Sequence, residues 1–386
     1  MANAQMGAAI PFIASAHEHT ETIPSQTVQL ATGVGPTPLN FTIPSTGFIR
    51  HVWLYVTATG GVNGTTTVAA AGDTPWNILD QITFIDTNSA PILGPLGGYS
   101  LFCANLFGGY TYQSDPRCNP AYSPVSVGSS GTGNFAFMIR VPIELSHHDG
   151  TGCLGNQNAA APYRLTLNVA APATVFSTAP GTLPLITVQP VLETWTLPNA
   201  TDAMGRPQAQ FPPNYGTVQY WSQRQQGPIG SGQDTARVLR VGNLIRNIIF
   251  ICRDTSQTGA RADTAFPTQP ILSWDDRNLT NEPAVYRQTR TAECMTTIPT
   301  LSRPTGVYAY TFDRSNQDRA GDDKPWGWLA TVEATRLELQ GVWTDTSYVT
   351  ILVNDIAPGE VNPTQRYVET NATGFHPDSD NKAGGQ

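Results

Sequence analysis

The sequence predicts an all-β chain built as two tandem β-sandwiches, and three observations lead there. The 35 glycines and 31 prolines of the 386 residues are scattered between short apolar runs, the composition of many strands joined by turns. Those runs alternate apolar and polar residues without the helix-strand rhythm of a parallel sheet. The chain would bury roughly three-quarters of its unfolded surface, enough for two cores, and its halves repeat one set of strand motifs.

The repeat begins with Ile49-Arg50 in "GFIRHVWLYVTATG" and Ile245-Arg246 in "GNLIRNIIFICRDT", at an offset of 196. Val52, Leu54 and Val56 then match Ile248, Phe250 and Cys252, alternate positions on one strand face. "ITFIDTN" (82–88) matches "LSWDDRN" (272–278) at offset 190. "FAFMIRV" (135–141) falls opposite "VYAYTFD" (307–313), and "YRLTLNV" (163–169) opposite "TRLELQG" (335–341), both at 172. Offsets that only decrease place six extra residues near 58–75 and eighteen within 89–134 of the first copy. Insertions belong in exposed loops, where the backbone still meets water. So long a period is a duplicated domain, not a solenoid.

In chain order, strands are expected at 38–43, 48–58, 79–86, 134–144, 163–169 and 185–196. A helix is expected at 97–107, where Leu96, Tyr99, Phe102, Cys103 and Leu106 recur at three- and four-residue spacing. The second copy is expected to hold strands at 235–241, 244–253, 270–275, 306–313, 330–340 and 347–354. The division reads as an N-terminal arm (1–25), a first sandwich (26–198), a Pro-rich linker (199–215), a second sandwich (216–358) and a C-terminal arm (359–386). Trp53 and Tyr55 oppose Val52, Leu54 and Val56, so both faces of that strand are large and apolar. Their face packs within its own domain, on the sister sandwich, or on another subunit.

Charge is sparse at 13% and the net charge is −8, with Lys324 and Lys382 the two lysines. A duplex-DNA binder needs a row of cations to displace counterions, and none is present. Residues 1–198 carry four Arg and nine Asp or Glu. Such depletion follows from drift or from a surface that faces another protein. The cysteines at 103, 118, 153, 252 and 294 form no CxxC pair, so reduced, mostly buried thiols are expected. The first twenty residues lack a signal peptide's basic start and apolar core. No apolar run is long enough to span a bilayer.

Candidates for chemistry are few. Ser146, His147, His148 and Asp149 adjoin in a glycine-rich loop, but a triad converges in space and rarely from sequence neighbours. His17, His19 and Glu21 have the alternate spacing of a strand-borne metal site; their place in an arm favours adventitious binding. A two-sandwich metal enzyme would need histidines in both copies, and 216–359 holds none. "GPIGSG" (227–232) and "GSSGTG" (128–133) lack the context of a phosphate loop and read as turns. Asp254-Thr255-Ser256 and Asp345-Thr346-Ser347 read as strand-end turns, and Asp275-Asp276 and Asp322-Asp323 as solvated carboxylates. No catalytic, cofactor-binding or metal residue is assigned.

With its tandem sandwiches, "GFIRHVWLYV", and "FAFMIRVPIELS" (135–146) ending a strand in Pro-x-Glu, the chain resembles the double jelly-roll major capsid proteins of tectiviruses and their relatives, adenovirus hexon among them. The resemblance covers about residues 26–358. It implies two eight-stranded jelly rolls with short loop helices and extended arms, and a structural protein without enzymatic activity or cofactor. It implies a homotrimer whose six sandwiches approximate a hexagon, tiling an icosahedral shell made in the host cytoplasm. Partners would be neighbouring trimers, vertex and minor capsid proteins and an internal membrane, against which "AAIPFIASA" (8–16) could rest; direct nucleic-acid binding is not expected. The alternative is a two-sandwich carbohydrate-binding or carbohydrate-active protein, with Trp326 and Trp328 stacking on sugar rings.

Overall fold

In the computed structural model the described residues are 10–110, 115–199, 201, 209–275, 277–294, 303–312 and 327–357. The first half runs α1 (Phe12–Ser15), β1 (Glu18–Thr22), β2 (Gln26–Gln29), β3 (Thr37–Thr42), β4 (Phe48–Thr59), β5 (Ala69–Ala70), β6 (Leu79–Ile85) and β7 (Pro91–Leu96). It continues through α2 (Gly98–Phe107), β8 (Phe135–Pro142), β9 (Leu154–Gly155), β10 (Arg164–Val169), α3 (Pro172–Val175), β11 (Phe176–Thr178) and β12 (Leu185–Trp195). The second half runs β13 (Gln219–Ile229), β14 (Gly232–Val238), β15 (Leu244–Asp254), β16 (Ile271–Trp274) and β17 (Arg277–Asn281). After α4 (Ala284–Glu293) come β18 (Val307–Thr311), β19 (Leu329–Ala330), β20 (Leu337–Trp343) and β21 (Ser347–Ile356).

Each half is a sandwich of two layers, each four strands wide, with the same strand order. In the first, β1 and β2 share one edge of β12, followed by β4 and β8; the facing layer is β3-β10-β6-β7. In the second, the layers are β13-β21-β15-β18 and β14-β20-β16-β17. The duplication extends to register. Leu167 pairs with Ile82 and Leu165 with Phe84; their counterparts Leu339 and Leu337 pair with Leu272 and Trp274. A parallel bridge between Leu93 and Trp221 joins β7 to β13, so one layer of each sandwich runs on into the other.

The cores follow the alternation that the sequence shows. Val52, Leu54, Val56 and Ala58 of β4 are buried among Ile82, Phe84, Phe137 and Leu167. Ile248, Phe250 and Cys252 of β15 pack with Leu272, Tyr308, Leu339 and Ile351. Fully burying one such aliphatic or aromatic side chain contributes about 1.5–3 kcal/mol. β15 departs from simple alternation, since every residue from Leu244 to Arg253 is buried. A strand reads this way when both faces are covered.

Four expectations need correction. Glu18–Thr22, placed in the arm, pairs with β12 and belongs to the sheet. The match of "FAFMIRV" to "VYAYTFD" is three residues out of register: Leu54 pairs with Ile139, and its counterpart Phe250 pairs with Tyr308, an offset of 169. The offsets therefore fall to 169 and rise again to 172 rather than only decreasing. Tyr308 and Tyr310 thus face the second core, while Val307 and Ala309 face outward into the first. Both sides of that strand are apolar, so periodicity could not choose between them. Helix α4 is not among the expected elements, because "AVYRQTRTAE" lacks a broad apolar face. "GPIGSG" is not wholly a turn: β13 extends to Ile229 and β14 begins at Gly232. Asp276, Asp322, Asp323 and Trp326 lie outside the described residues, as do 1–9 and 358–386.

Candidate functional site

Helix α2 forms the joint between the sandwiches, where polar and apolar contacts meet. All ten of its residues are buried. Its N-terminus comes so close to the turn before β6 that a Cβ on Gly98 would lie 1.9 Å from the Trp76 carbonyl oxygen. Asn105 fastens the helix to its own sandwich: its Nδ2 donates to the Arg140 carbonyl at 2.7 Å, and its Oδ1 accepts from the Arg140 amide at 3.2 Å. In the second copy Thr291 of α4 does the same work, its Oγ1 accepting from the Ala309 amide at 3.1 Å. Both side chains also donate four residues back, to Leu101 and Arg287. Arg140 and Ala309 are counterparts at the offset of 169, so the two helices are counterparts at 186.

The other side of α2 meets the second sandwich. Ile249, Ile251, Val307, Ala309 and Leu352, on the outer face of the β15 sheet, belong to the same apolar cluster as Leu101, Phe102 and Leu106. Polar contacts fix the seam at both ends of the helix. At the N-terminal end, Gln223 Oε1 accepts from the Gly97 amide at 3.0 Å. There Asp73 binds Arg253 and, at 2.7 Å, Arg261, and Arg261 lies 4.6 Å over the Tyr99 ring. At the C-terminal end, Tyr110 donates to Gln219 Oε1 at 2.5 Å. Arg246 donates to the carbonyl of Gly108, the C-cap of α2, at 2.9 Å, where a cation complements the helix dipole.

Arg50 and Arg246, the residues that revealed the repeat, each sit at a β-bulge. His51 pairs with Glu193 and Ile49 with Thr194, leaving Arg50 the extra residue. Asn247 pairs with Asn354 and Ile245 with Asp355, leaving Arg246 the extra residue. A bulge re-aims one side chain, and the two arginines are aimed at different partners. Arg50 holds the buried Glu144 at 2.9 Å and Glu18 at 2.6 Å, and stacks 4.1 Å over Trp195. Trp195 Nε1 donates to Glu144 Oε1 at 2.6 Å. Burial pushes the Glu144 carboxyl above its ordinary range, against the pull of Arg50 and Trp195. Burial, with Arg140 and Arg50 nearby, holds His51 well below its ordinary value and keeps it neutral.

The residues singled out in sequence do not converge on chemistry. The rings of His147 and His148 lie tilted against each other in the loop after β8, centroids 4.1 Å apart, and Asp149 accepts from the Thr151 amide within that turn. His17 precedes the edge strand β1, which carries His19 and Glu21; no cluster of three potential metal ligands occurs among the described residues. Asp275 accepts from the amides of Thr335 and Arg336 and is a turn clasp. Cys103, Cys153 and Cys252 are buried, and burial raises the Cys103 thiol to about 12. Trp328 is buried beside Leu244 and Ile356 rather than open to a sugar. Trp53 and Tyr55 are both half-buried, with Arg140 of their own sheet stacked 4.3 Å over the Trp53 ring. Among the described residues no helix is long and apolar enough to cross a membrane.

The paired layers, the shared strand order and a helix before each of the counterpart strands β8 and β18 place the architecture among known folds. The fold is a double jelly roll. The major capsid protein of Sulfolobus turreted icosahedral virus is similar over 89% of this chain and 97% of that one, with TM-score 0.60 and 15% identity. The major capsid protein of bacteriophage PM2 covers 89% of this double jelly roll and 100% of its own chain, with TM-score 0.52 and 8% identity. A chain of the PBCV-1 virus capsid covers 89% and 96%, with TM-score 0.53 and 12% identity. No protein-family model and no curated protein matches the sequence.

Proposed function

We propose that this double jelly roll is a viral major capsid protein whose homotrimers, pseudo-hexagonal in outline, tile an icosahedral shell over an internal membrane. The observation that carries the reading is the joint itself: one sandwich already serves as the lateral wall of a second, equivalent one. A unit that covers its neighbour with α2 is suited to sheet-like assembly. The solved structures with this fold bear the names of major capsid proteins from a virus and a phage. The thirteen charges in residues 1–198 suit a surface that is largely covered by protein. The role is structural rather than enzymatic, the location is the virion after assembly in the host cytoplasm, and the partners are neighbouring trimers, vertex and minor capsid proteins and lipid.

Native mass spectrometry of the purified chain at micromolar concentration tests this reading. A trimer is expected, with hexagonal particles in negative-stain images. A chain that stays monomeric under these conditions overturns the proposal.

A further inference from the structure

The internal duplication makes the covered joint a template for a surface that the chain leaves open. On α2, Tyr99, Cys103 and Leu106 are buried, and Tyr99 faces Arg261 of the second sandwich. Their counterparts on α4 at the offset of 186 are Val285, Thr289 and Ala292, all exposed, and Tyr286 is exposed beside them. Val285 is 65% and Tyr286 48% exposed, although α4 is fastened by Thr291 just as α2 is by Asn105. The receiving face has the same asymmetry. Ile249, Ile251, Val307, Ala309 and Leu352 are buried on the second sandwich. Pairing register assigns their counterparts as Trp53, Tyr55, Met138, Arg140 and Val191. All five are half-buried.

We infer that α4 of one chain docks on the outer face of the β12-β4-β8 sheet of a second copy. The Val285–Tyr286–Thr289–Ala292 stripe then lies over Trp53, Tyr55, Met138, Arg140 and Val191. The occupant is another copy because the chain already shows how these two elements fit: the same helix position on the same sheet face, in matching register. The donor and receiving surfaces lie on different sandwiches, so the contact is head-to-tail and either closes into a ring or runs on as a filament. Tryptophan, tyrosine, methionine and arginine on the receiving face are also the side chains enriched at protein interfaces. Closure with three chains rests on the homotrimer of the proposed function; the seam itself rests on the duplication.

The test is a pair of arginine substitutions, Val285→Arg with Tyr286→Arg, beside the control Leu239→Arg, whose parent side chain is 68% exposed elsewhere on the second sandwich. Sedimentation velocity is expected to show at least a tenfold weaker self-association for the double variant and none for the control. Benzoylphenylalanine in place of Thr289 decides the matter if the double variant fails to fold. Irradiation is expected to give a covalent dimer whose cross-linked peptide contains residues 53–55, 138–140 or 191. A wild-type trimer with undiminished association in the folded double variant, or with Thr289 cross-links confined to other segments, overturns the seam and leaves the capsid reading standing. A monomeric wild type overturns both, and a dimer cross-linked at these residues keeps the seam while removing the trimer.

Discussion

The sheets around β4 and β15 have one strand order, one bulge position and one core register, yet opposite surroundings. The β15 sheet is buried on both faces, and its outer face sets aliphatic Ile249, Ile251 and Leu352 between buried polar residues, Asn247 and Arg253 on β15 and Thr350 and Asn354 on β21. The β4 sheet is buried on one face, and its counterpart positions hold Trp53, Tyr55 and Val191, with Arg140 laid over the indole. The difference teaches when each face is covered. A face covered by its own chain is aliphatic at its centre, and a polar residue at its margin such as Arg253 finds its partner across the joint. A face that stays wet until a later event carries side chains with an apolar body and a polar tip.

The two bulge arginines sharpen this comparison most strongly. Removing Arg50 leaves the buried Glu144 charge without its ion-pair partner, a loss that typically costs about 3–5 kcal/mol. Arg50→Met should therefore lower the urea midpoint far more than Arg246→Met. The latter strands a helix-end carbonyl, which costs about 1–3 kcal/mol. Equal losses would mean that Glu144 finds another partner. Next come the helix fasteners. Asn105→Ala orphans both the amide and the carbonyl of Arg140, and Thr291→Val orphans the Ala309 amide alone, each orphan costing about 1–3 kcal/mol. Hydrogen exchange should speed up at Arg140 in the first variant and at Ala309 in the second, with the larger stability loss in the first.

The smallest effect is in pH dependence, where two carboxylates have opposite signs. Burial raises Glu144 above its ordinary 4.5, so its contribution is complete below pH 4.5 and is lost as pH rises through the folded value. Burial also opposes ionisation of Asp263, but Arg303, the Gly306 amide and Tyr308 outweigh it and hold the carboxyl below its ordinary 3.8. Its contribution is present above pH 3.8 and is lost as pH falls through the folded value. Tm measured against pH should then show Asp263→Asn flattening the acid limb and Glu144→Gln flattening the slope above pH 4.5. The same slope in Glu144→Gln as in the parent would remove Glu144 as its source.

Several parts of this organisation are legible from residues alone. Ile49-Arg50 and Ile245-Arg246 locate equivalent strands because a bulge demands the same local device twice. Leu165 and Leu167 locate β10 against β20 because strict alternation survives on a strand with one core face. Alternation failed at Val307–Thr311, where both faces are apolar and one register looks as good as another. It failed again at α4, whose outward stripe of Val285, Thr289 and Ala292 is mixed in character. β1 was unreadable for a related reason: "EHTET" is an exposed edge strand with no apolar repeat.

The amino-acid order by itself determined the strand-rich class, the duplication and most inward-facing positions, because each depends on period and spacing within a few residues of chain. Only the tertiary structure decided that α2 belongs to both sandwiches, that Arg246 reaches Gly108 across 138 residues, and that Trp53 and Tyr55 stay half-open. These depend on which surfaces meet after folding, and the free energy of covering a face is set by its neighbour across space rather than by its neighbours along the chain.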